Sequence, residues 1–479
     1  MGRREDWRRE TFSGEKTLDL LEQNQETEMT GSNGVGAPHQ SSQLNQPPPI
    51  VVSLMKKRKS NLTKSTLQAI LKRVAETGLL HARSTRAKRS RTFKLGSCLG
   101  VALLGLLSDK ASQRGLEWMT HLLHPSTRRA LDLPAPASDS TLGRALKDFS
   151  HTQALRALTV SVRAMHKRGE LVAAVPGFDH VAVDGKQVHW LSAKALRAMK
   201  QAPHPAVQRR TDSNEQLMGG TLRVLRATHV GANQATCILQ SAIPAHTNEI
   251  GHLPTFLDEL ACAYGHSQLI KVLSLDAGLS SLATATQLKG QGWEYLVRLK
   301  DNQGQLLEEA KRTLVGQPLG VLRSQDKGQK IEHRIWVHDL EGGGWLDWEH
   351  AGSFVRIERV CTRSDGSQTQ GERIWVSSLR GLSLEQWAGL CRGHWGCENG
   401  QHNVVDKYLG EDQRLAQLSQ DPEALLVLSV LRAMALNILN VLRKVRVEGY
   451  NQIRSYNQAR TQVMMELVKG FQGVIPAFA

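Results

Sequence analysis

Cysteine is sparse in this 479-residue chain: six residues, at positions 98, 237, 262, 361, 391 and 397, are scattered without a dense framework. That distribution excludes a disulfide-built secreted scaffold and fits a reducing compartment. Long apolar runs are also missing. The most apolar stretch, Leu95 to Leu107, is about 13 residues long and holds three glycines. It is too short to span a bilayer and suits a buried helix. No charged-then-apolar secretory signal opens the chain. These absences predict a cytoplasmic protein. Acid is in deficit as well: 45 Asp and Glu against 61 Lys and Arg leave a net charge of +16 at pH 7. Such a surplus points to a polyanionic partner, nucleic acid being the commonest, with a merely basic soluble enzyme as the plain alternative.

Residues 1–54 are rich in Gln, Glu, Ser, Asn and Gly and close on Pro47-Pro48-Pro49. They have little to bury and are expected to be disordered. A basic segment follows, from Lys56-Lys57-Arg58-Lys59 through Lys72, Arg73, Arg83, Arg86, Lys88, Arg89, Arg91 and Lys94, with Glu76 as its one acid. A solvated face and a phosphate-contacting arm both fit it. From Leu95 to about His166 the pattern is helical, so 55–170 reads as a basic segment plus a helical accessory or DNA-binding domain. Within it, Ser138 to Leu146 has the capped start of a helix-turn-helix unit, a signal that many small helical domains share.

At Pro176 the period changes. Phe178 to Asp184 alternates and ends on Asp184-Gly185-Lys186, a strand leading into a turn. A polar loop (197–216) precedes strands at Thr221–His229 and Ala235–Ile243, then a helix runs to about Tyr264. Leu269 to Leu275 is nearly all apolar, as a strand buried on both faces should be, and stops at Asp276. A helix (280–289) and a strand (Tyr295–Leu299) follow, closing on Lys300-Asp301-Asn302. Residues 304–382 look β-rich. One helix is then predicted over 383–409, with Ser383 and Gln386 as a capping box. Leu384, Trp387, Ala388, Cys391, Trp395, Glu398 and His402 recur on one face of it. After Asp421-Pro422 a long apolar helix, Ala424–Leu442, should pack on the sheet, and 446–479 should form a helical tail. The order predicts an α/β fold: a ribonuclease-H-like mixed sheet flanked by helices, in segments 171–303 and 383–445. The β-rich insertion 304–382 interrupts it, and the helical domain precedes it.

A carboxylate on an apolar, aromatic helical face needs a cation, a proton or a metal ion, because an unpaired buried charge is costly. Asp184 and Asp276, both at strand ends, supply the remaining oxygens for Mg²⁺ or Mn²⁺, which prefer oxygen ligands. Two such ions could drive an in-line phosphodiester displacement. The bland readings are an Asp-Gly turn and a helix-capping aspartate. A rival zinc site would draw on Cys391, His394, Cys397 and His402, but Cys391 and Cys397 lie about 120° apart around a regular helix. Trp387 and Trp395 read as core packing.

The strings VAVDGK, HTNEIGHLPTFLDEL, SLDAG, YLVRLKDNQGQL, RGHWGCENGQH and VVDKYLGED, in this order, resemble the DDE transposases of bacterial insertion sequences, in particular the group containing the H-repeat-associated transposase-like proteins. The resemblance covers residues 95 to 445. It implies Asp184, Asp276 and Glu398 as catalytic, metal-binding residues using Mg²⁺, with Mn²⁺ as its substitute. It implies DNA contacts from Lys186, Lys300, Arg392 and Lys407, with Asn399 and His402 positioning Glu398. The implied partners are DNA, as terminal inverted repeats and target, and a second copy of the chain on nucleoid DNA. An inactive DNA-binding relic and a related metal-dependent nuclease are the alternative functions.

Overall fold

The computed structural model describes residues 66–83, 92–110, 112–199, 204–232, 234–326, 328–341, 348, 350–412, 419–444 and 453–470. The expected disordered segment 1–54 and most of the basic stretch lie outside the described residues.

The N-terminal part is helical, as its pattern requires: α1 (Thr66–Glu76), α2 (Leu95–Leu107), α3 (Gln113–Leu122), α4 (Pro125–Ala130), α5 (Asp139–Asp148) and α6 (His151–Lys167). Ser112, Ser138 and Ser150 each accept a backbone N–H of the first turn that would otherwise be orphaned. Every residue of α2 is buried. Its glycines allow this: a Cβ at Gly105 would stand 1.9 Å from Leu116 Cδ2, and one at Gly96 would stand 2.1 Å from the Leu80 carbonyl oxygen.

Among the described residues ten strands form one sheet: β1 (His180–Ser192), β2 (Val207–Thr211), β3 (Leu217–Gly231), β4 (Gln234–Ala242), β5 (Val272–Leu275), β6 (Glu294–Leu299), β7 (Gly320–Asp326), β8 (Gln329–Asp339), β9 (Ser353–Thr362) and β10 (Gln368–Ser377). Strands β4, β3 and β1 are antiparallel, and β5 and β6 then lie parallel to β1. That order is the ribonuclease-H-like core. Helices α7 (Ala193–Ala198), α8 (Glu249–Tyr264), α9 (Leu282–Gly290) and α10 (Gly304–Thr313) fall between strands.

Four expectations change. The segment 197–216, expected as a polar loop, carries β2, which pairs antiparallel with β3. The Asp184-Gly185 pair does not turn the chain: β1 runs on through it to Ser192, because β3 pairs with the whole length. The 304–382 insertion opens on a helix, α10, and then extends the core sheet, since Ile374–Ser377 of β10 pair antiparallel with Leu296–Leu299 of β6. And the helix expected over 383–409 is broken. It comprises α11 (Leu384–Gly393, with the Ser383/Gln386 capping box), a turn at His394-Trp395, a wide π-helical turn at Cys397–His402, and α12 (Asn403–Leu409). The apolar face continues across the break, so spacing alone did not reveal it.

Helix α13 (Pro422–Leu442) ties the halves together. By length and composition it could cross a membrane, but 94% of its most apolar stretch is buried inside the molecule. It packs on α2, α6 and β4, in one apolar core that runs from the N-terminal helices to the sheet. Its polar residues explain the fit. Asn437 accepts from the Cys237 N–H at 3.0 Å and donates to the Cys237 carbonyl at 2.8 Å, and Asn440 donates to the Ala235 carbonyl at 3.0 Å. The free edge of β4 is thereby covered by a helix. A last helix, α14 (Tyr456–Lys469), follows.

Candidate active site

Strands β1 and β5 bring the two aspartates together. Val183 and Leu275 are partners in the parallel register, so Asp184 and Asp276 are each one residue beyond a matched pair, on strands spaced roughly 4.8 Å apart. Asp276 leaves β5 and starts a 3₁₀ turn (Ala277–Leu279). The Lys300-Asp301-Asn302-Gln303 block fixes that turn: Asn302 donates to the Ala277 carbonyl at 2.8 Å and Gln303 to the Ser280 carbonyl. Glu398 lies in the π-helical turn and is half-buried, not enclosed. Trp395, just before it, packs edge-on to Trp375 and His394 and lies under the Arg373 guanidinium at 3.6 Å. Trp387 is fully buried.

Asp276 and Glu398 both act on Asp184. Burial, with Glu249, Asp276 and Glu398 nearby, pushes the Asp184 carboxyl up to about 7, although the Gly185 N–H donates to it at 2.8 Å. Its side chain is still 37% exposed. Burial opposes ionisation of Asp276 too, but the Ala277 N–H, Lys300, His394 and Arg298 hold it below the usual carboxylate range. Beneath Asp276, Ser274 Oγ lies 2.7 Å from His180 Nε2 and 3.0 Å from His394 Nδ1, all buried.

Two participants were not assigned from sequence. Glu249, in the first turn of α8, reaches Gly185 so closely that a Cβ there would sit 2.1 Å from its Oε1, and it pairs with Arg223. Its place in the NEIG string was the available signal, read only as a helix start. The second is Arg226, the β3 residue in register with Asp184. It is fully buried and gives Glu411 two hydrogen bonds, at 2.8 and 2.7 Å, plus one each to Gln240 and Ser429. An arginine between Leu225 and Ala227 was the signal, a weak one in a strand that also carries Arg223, Thr228 and His229. Burial opposes charge on Glu411, but Arg226, Lys186 and Arg432 hold its carboxyl well below the usual range.

A model of the family described as the transposase DDE domain matches residues 176–438, more than half of the chain. The chain belongs to that family. Among solved structures, a piggyBac transposase synaptic complex with hairpin DNA is similar at 12% identity and a TM-score of 0.36, over 85% of this chain and 78% of that one. No curated protein matches.

In this DDE-family domain Asp184 meets an imidazole and a thiol as well as other carboxylates. The residue within ion-pair range of Asp184 is His402, with Nδ1 3.7 Å from Oδ2. Burial beside Arg226 and Lys186 keeps that imidazole well below its ordinary pKa, hence neutral. Among the described residues no Lys or Arg lies within ion-pair range of Asp184, whose neighbouring ligand atoms come from Cys397 and His402.

The expected DNA-contacting residues divide. Lys300, Arg392 and Lys407 are exposed, Lys300 acting on Asp276 and Lys407 lying 5.2 Å from the Tyr408 ring centre. Lys186 points inward instead: its side chain is 9% exposed and its ammonium is 2.6 Å from Asp406 and 3.9 Å from Glu411. Of the rival zinc set, Cys391 packs with Trp387 and Leu390, and His394 binds Ser274. Cys397 and His402 approach each other, on the Asp184 side.

Proposed function

We propose that the chain is a DNA transposase that hydrolyses the phosphodiester at each end of its insertion sequence and joins the freed 3′-OH to target DNA. Asp184, Asp276 and Glu398 are its catalytic, metal-binding residues. The observation that carries this is the placement of Asp184 and Asp276 each one residue beyond a matched pair on adjacent parallel strands, with Glu398 near enough to help raise the Asp184 carboxyl. Mg²⁺ held there, or Mn²⁺ in its place, supplies a Lewis acid at the scissile phosphate and lowers the pKa of the attacking water. The protein's own groups position the reactants. The Asn302 and Gln303 hydrogen bonds hold the Asp276 turn, and the Trp395 stack holds the break before Glu398. Glu249 and the Arg226–Glu411 pair fix the strand under Asp184. Lys300, Arg392 and Lys407 are exposed cations suited to phosphates. Pairing of two element ends calls for two copies of the chain on nucleoid DNA.

The test is incubation of the purified protein with its flanking genomic ends and Mg²⁺ or Mn²⁺, scoring nicks at the element boundary and strand joining. Cleavage with joining that is lost in Asp184→Asn, with DNA binding kept, supports the transposase. Cleavage without joining points to a nuclease, and binding without cleavage under several conditions to a relic.

A further inference from the structure

Cys397 occupies an unusual position for a buried cysteine. Its Sγ faces polar atoms, 3.8 Å from Thr228 Oγ1 and 3.8 Å from His402 Nε2. One ligand atom each from Asp184, Cys397 and His402 lie within 4.8 Å of one another. Cys397 and His402 are almost enclosed, at 1% and 6% exposure, while Asp184 opens the cluster to the active-site side. The wide turn creates this meeting. Residues five apart project about 140° from each other around a regular α-helix, but Cys397 and His402 stand at the two ends of a π-helical turn whose hydrogen bonds run i to i+5.

A carboxylate, an imidazole and a thiolate, with a fourth position open to solvent, are the ligands of a tetrahedral zinc site and a poor set for Mg²⁺. We propose that Asp184, Cys397 and His402 bind a thiophilic divalent cation such as Zn²⁺, and that this cation, by holding Asp184, shuts off the Mg²⁺-supported reaction. On binding, the Cys397 S–H bond breaks, a sulfur–metal bond forms and the proton passes to solvent; no electrons are exchanged. The inhibitory half rests on the reading of Asp184 as a catalytic ligand. The two cations compete for one carboxylate, so DNA cleavage becomes sensitive to the local ratio of soft to hard metal.

The test uses Cd²⁺ as the probe, in the full chain carrying Cys262→Ser, which removes the exposed thiol. Titration is expected to give a thiolate-to-cadmium charge-transfer absorption that saturates at one Cd²⁺ per chain and is displaced by Zn²⁺. Cys397→Ala should abolish it, and His402→Gln should weaken binding about tenfold or more. In the cleavage assay, Cys397→Ala should need about tenfold more Cd²⁺ or Zn²⁺ for the same inhibition. Cys397→Ser, closer in size, repeats the comparison, and thermal melts verify that both variants fold. The proposal is overturned if wild type gives no such absorption, if the signal survives in Cys397→Ala, or if both Cys397 variants are inhibited at the wild-type concentration. The absorption needs no DNA. Absence of cleavage by every form would therefore count against the transposase reading and leave the metal site judged by absorption alone.

Discussion

Two groups of charge lie on neighbouring strands, and they are handled in opposite ways. Glu411 is fully enclosed, yet Arg226 meets it with two short hydrogen bonds and keeps it ionised. Asp184, directly across from Arg226 in the sheet, faces carboxylates and a neutral imidazole, and its carboxyl rises to about 7. The first group is complete within the fold. In the second, no Lys or Arg among the described residues lies within ion-pair range of Asp184. Paired positions on two adjacent strands can thus differ this much because the buried cations nearest Asp184, Arg226 and Lys186, are already paired with Glu411 and Asp406.

Five experiments probe this contrast, from the largest expected effect to the smallest. Asp184→Asn, Asp276→Asn and Glu398→Gln should each slow end cleavage about a thousandfold or more, the loss of several kcal/mol in the transition state. Asp184→Asn should not lower the thermal midpoint of the metal-free protein, whereas Asp276→Asn should lower it at neutral pH, because Lys300, Arg298 and the Ala277 N–H favour the ionised carboxyl; near-wild-type cleavage in any one would remove it from the site. Glu411→Gln should do the reverse, destabilising the fold by about 3–5 kcal/mol by stranding Arg226. Replacing Arg226 and Glu411 together by apolar residues should cost less, and chemical denaturation of the three variants decides the point.

The third experiment is a titration. Because the folded-state value of Asp184 is raised, its contribution to stability is complete below the unfolded value of 3.8 and is lost as pH climbs through about 7. The metal-free protein should therefore lose stability over that window, on the order of 1 kcal/mol, since a side chain 37% exposed is screened by solvent. Mg²⁺ at a hundred times its dissociation constant should raise stability at neutral pH by about 2.7 kcal/mol. Calorimetry with and without chelator reads both, and Asp184→Asn should flatten both. Fourth, Gly185→Ala drives a Cβ against the Glu249 carboxyl. It should cost about 1 kcal/mol and also slow cleavage, whereas Gly290→Ala, with open space around it, should do neither. Last, Lys300→Ala and Lys407→Ala should each reduce the salt slope of DNA binding by about one. Lys186→Ala should leave that slope alone and lower stability instead.

Much of the arrangement was legible in the residues. The strand order, the Ser383/Gln386 capping box and the apolar helix after Asp421-Pro422 follow from periodicity and caps. What escaped was set by tertiary partners. Asp184-Gly185 has the composition of a turn, but a long antiparallel neighbour on one side and β5 on the other kept it extended. The π-helical turn adds too little to disturb an apolar face read in three- and four-residue steps. Arg226 and Glu411 each look anomalous alone, but nothing local says that residues 185 apart are partners. Glu249 was hidden because an acidic residue in a first helical turn already has an explanation, the helix dipole.

Helix α13 also bears on the order in which the chain is made. The centre of the core is filled by residues 422–442, which emerge from the ribosome after the helices and strands they join. Until they arrive, α2, α6 and the outer side of β4 lack the apolar and hydrogen-bonding surface that covers them. A chain stopped anywhere upstream of Pro422 therefore leaves those faces of α2, α6 and β4 uncovered. It is a polypeptide with an exposed core, fit for proteolysis. For a gene read in this way, disabling lesions late in the coding frame are as complete as early ones.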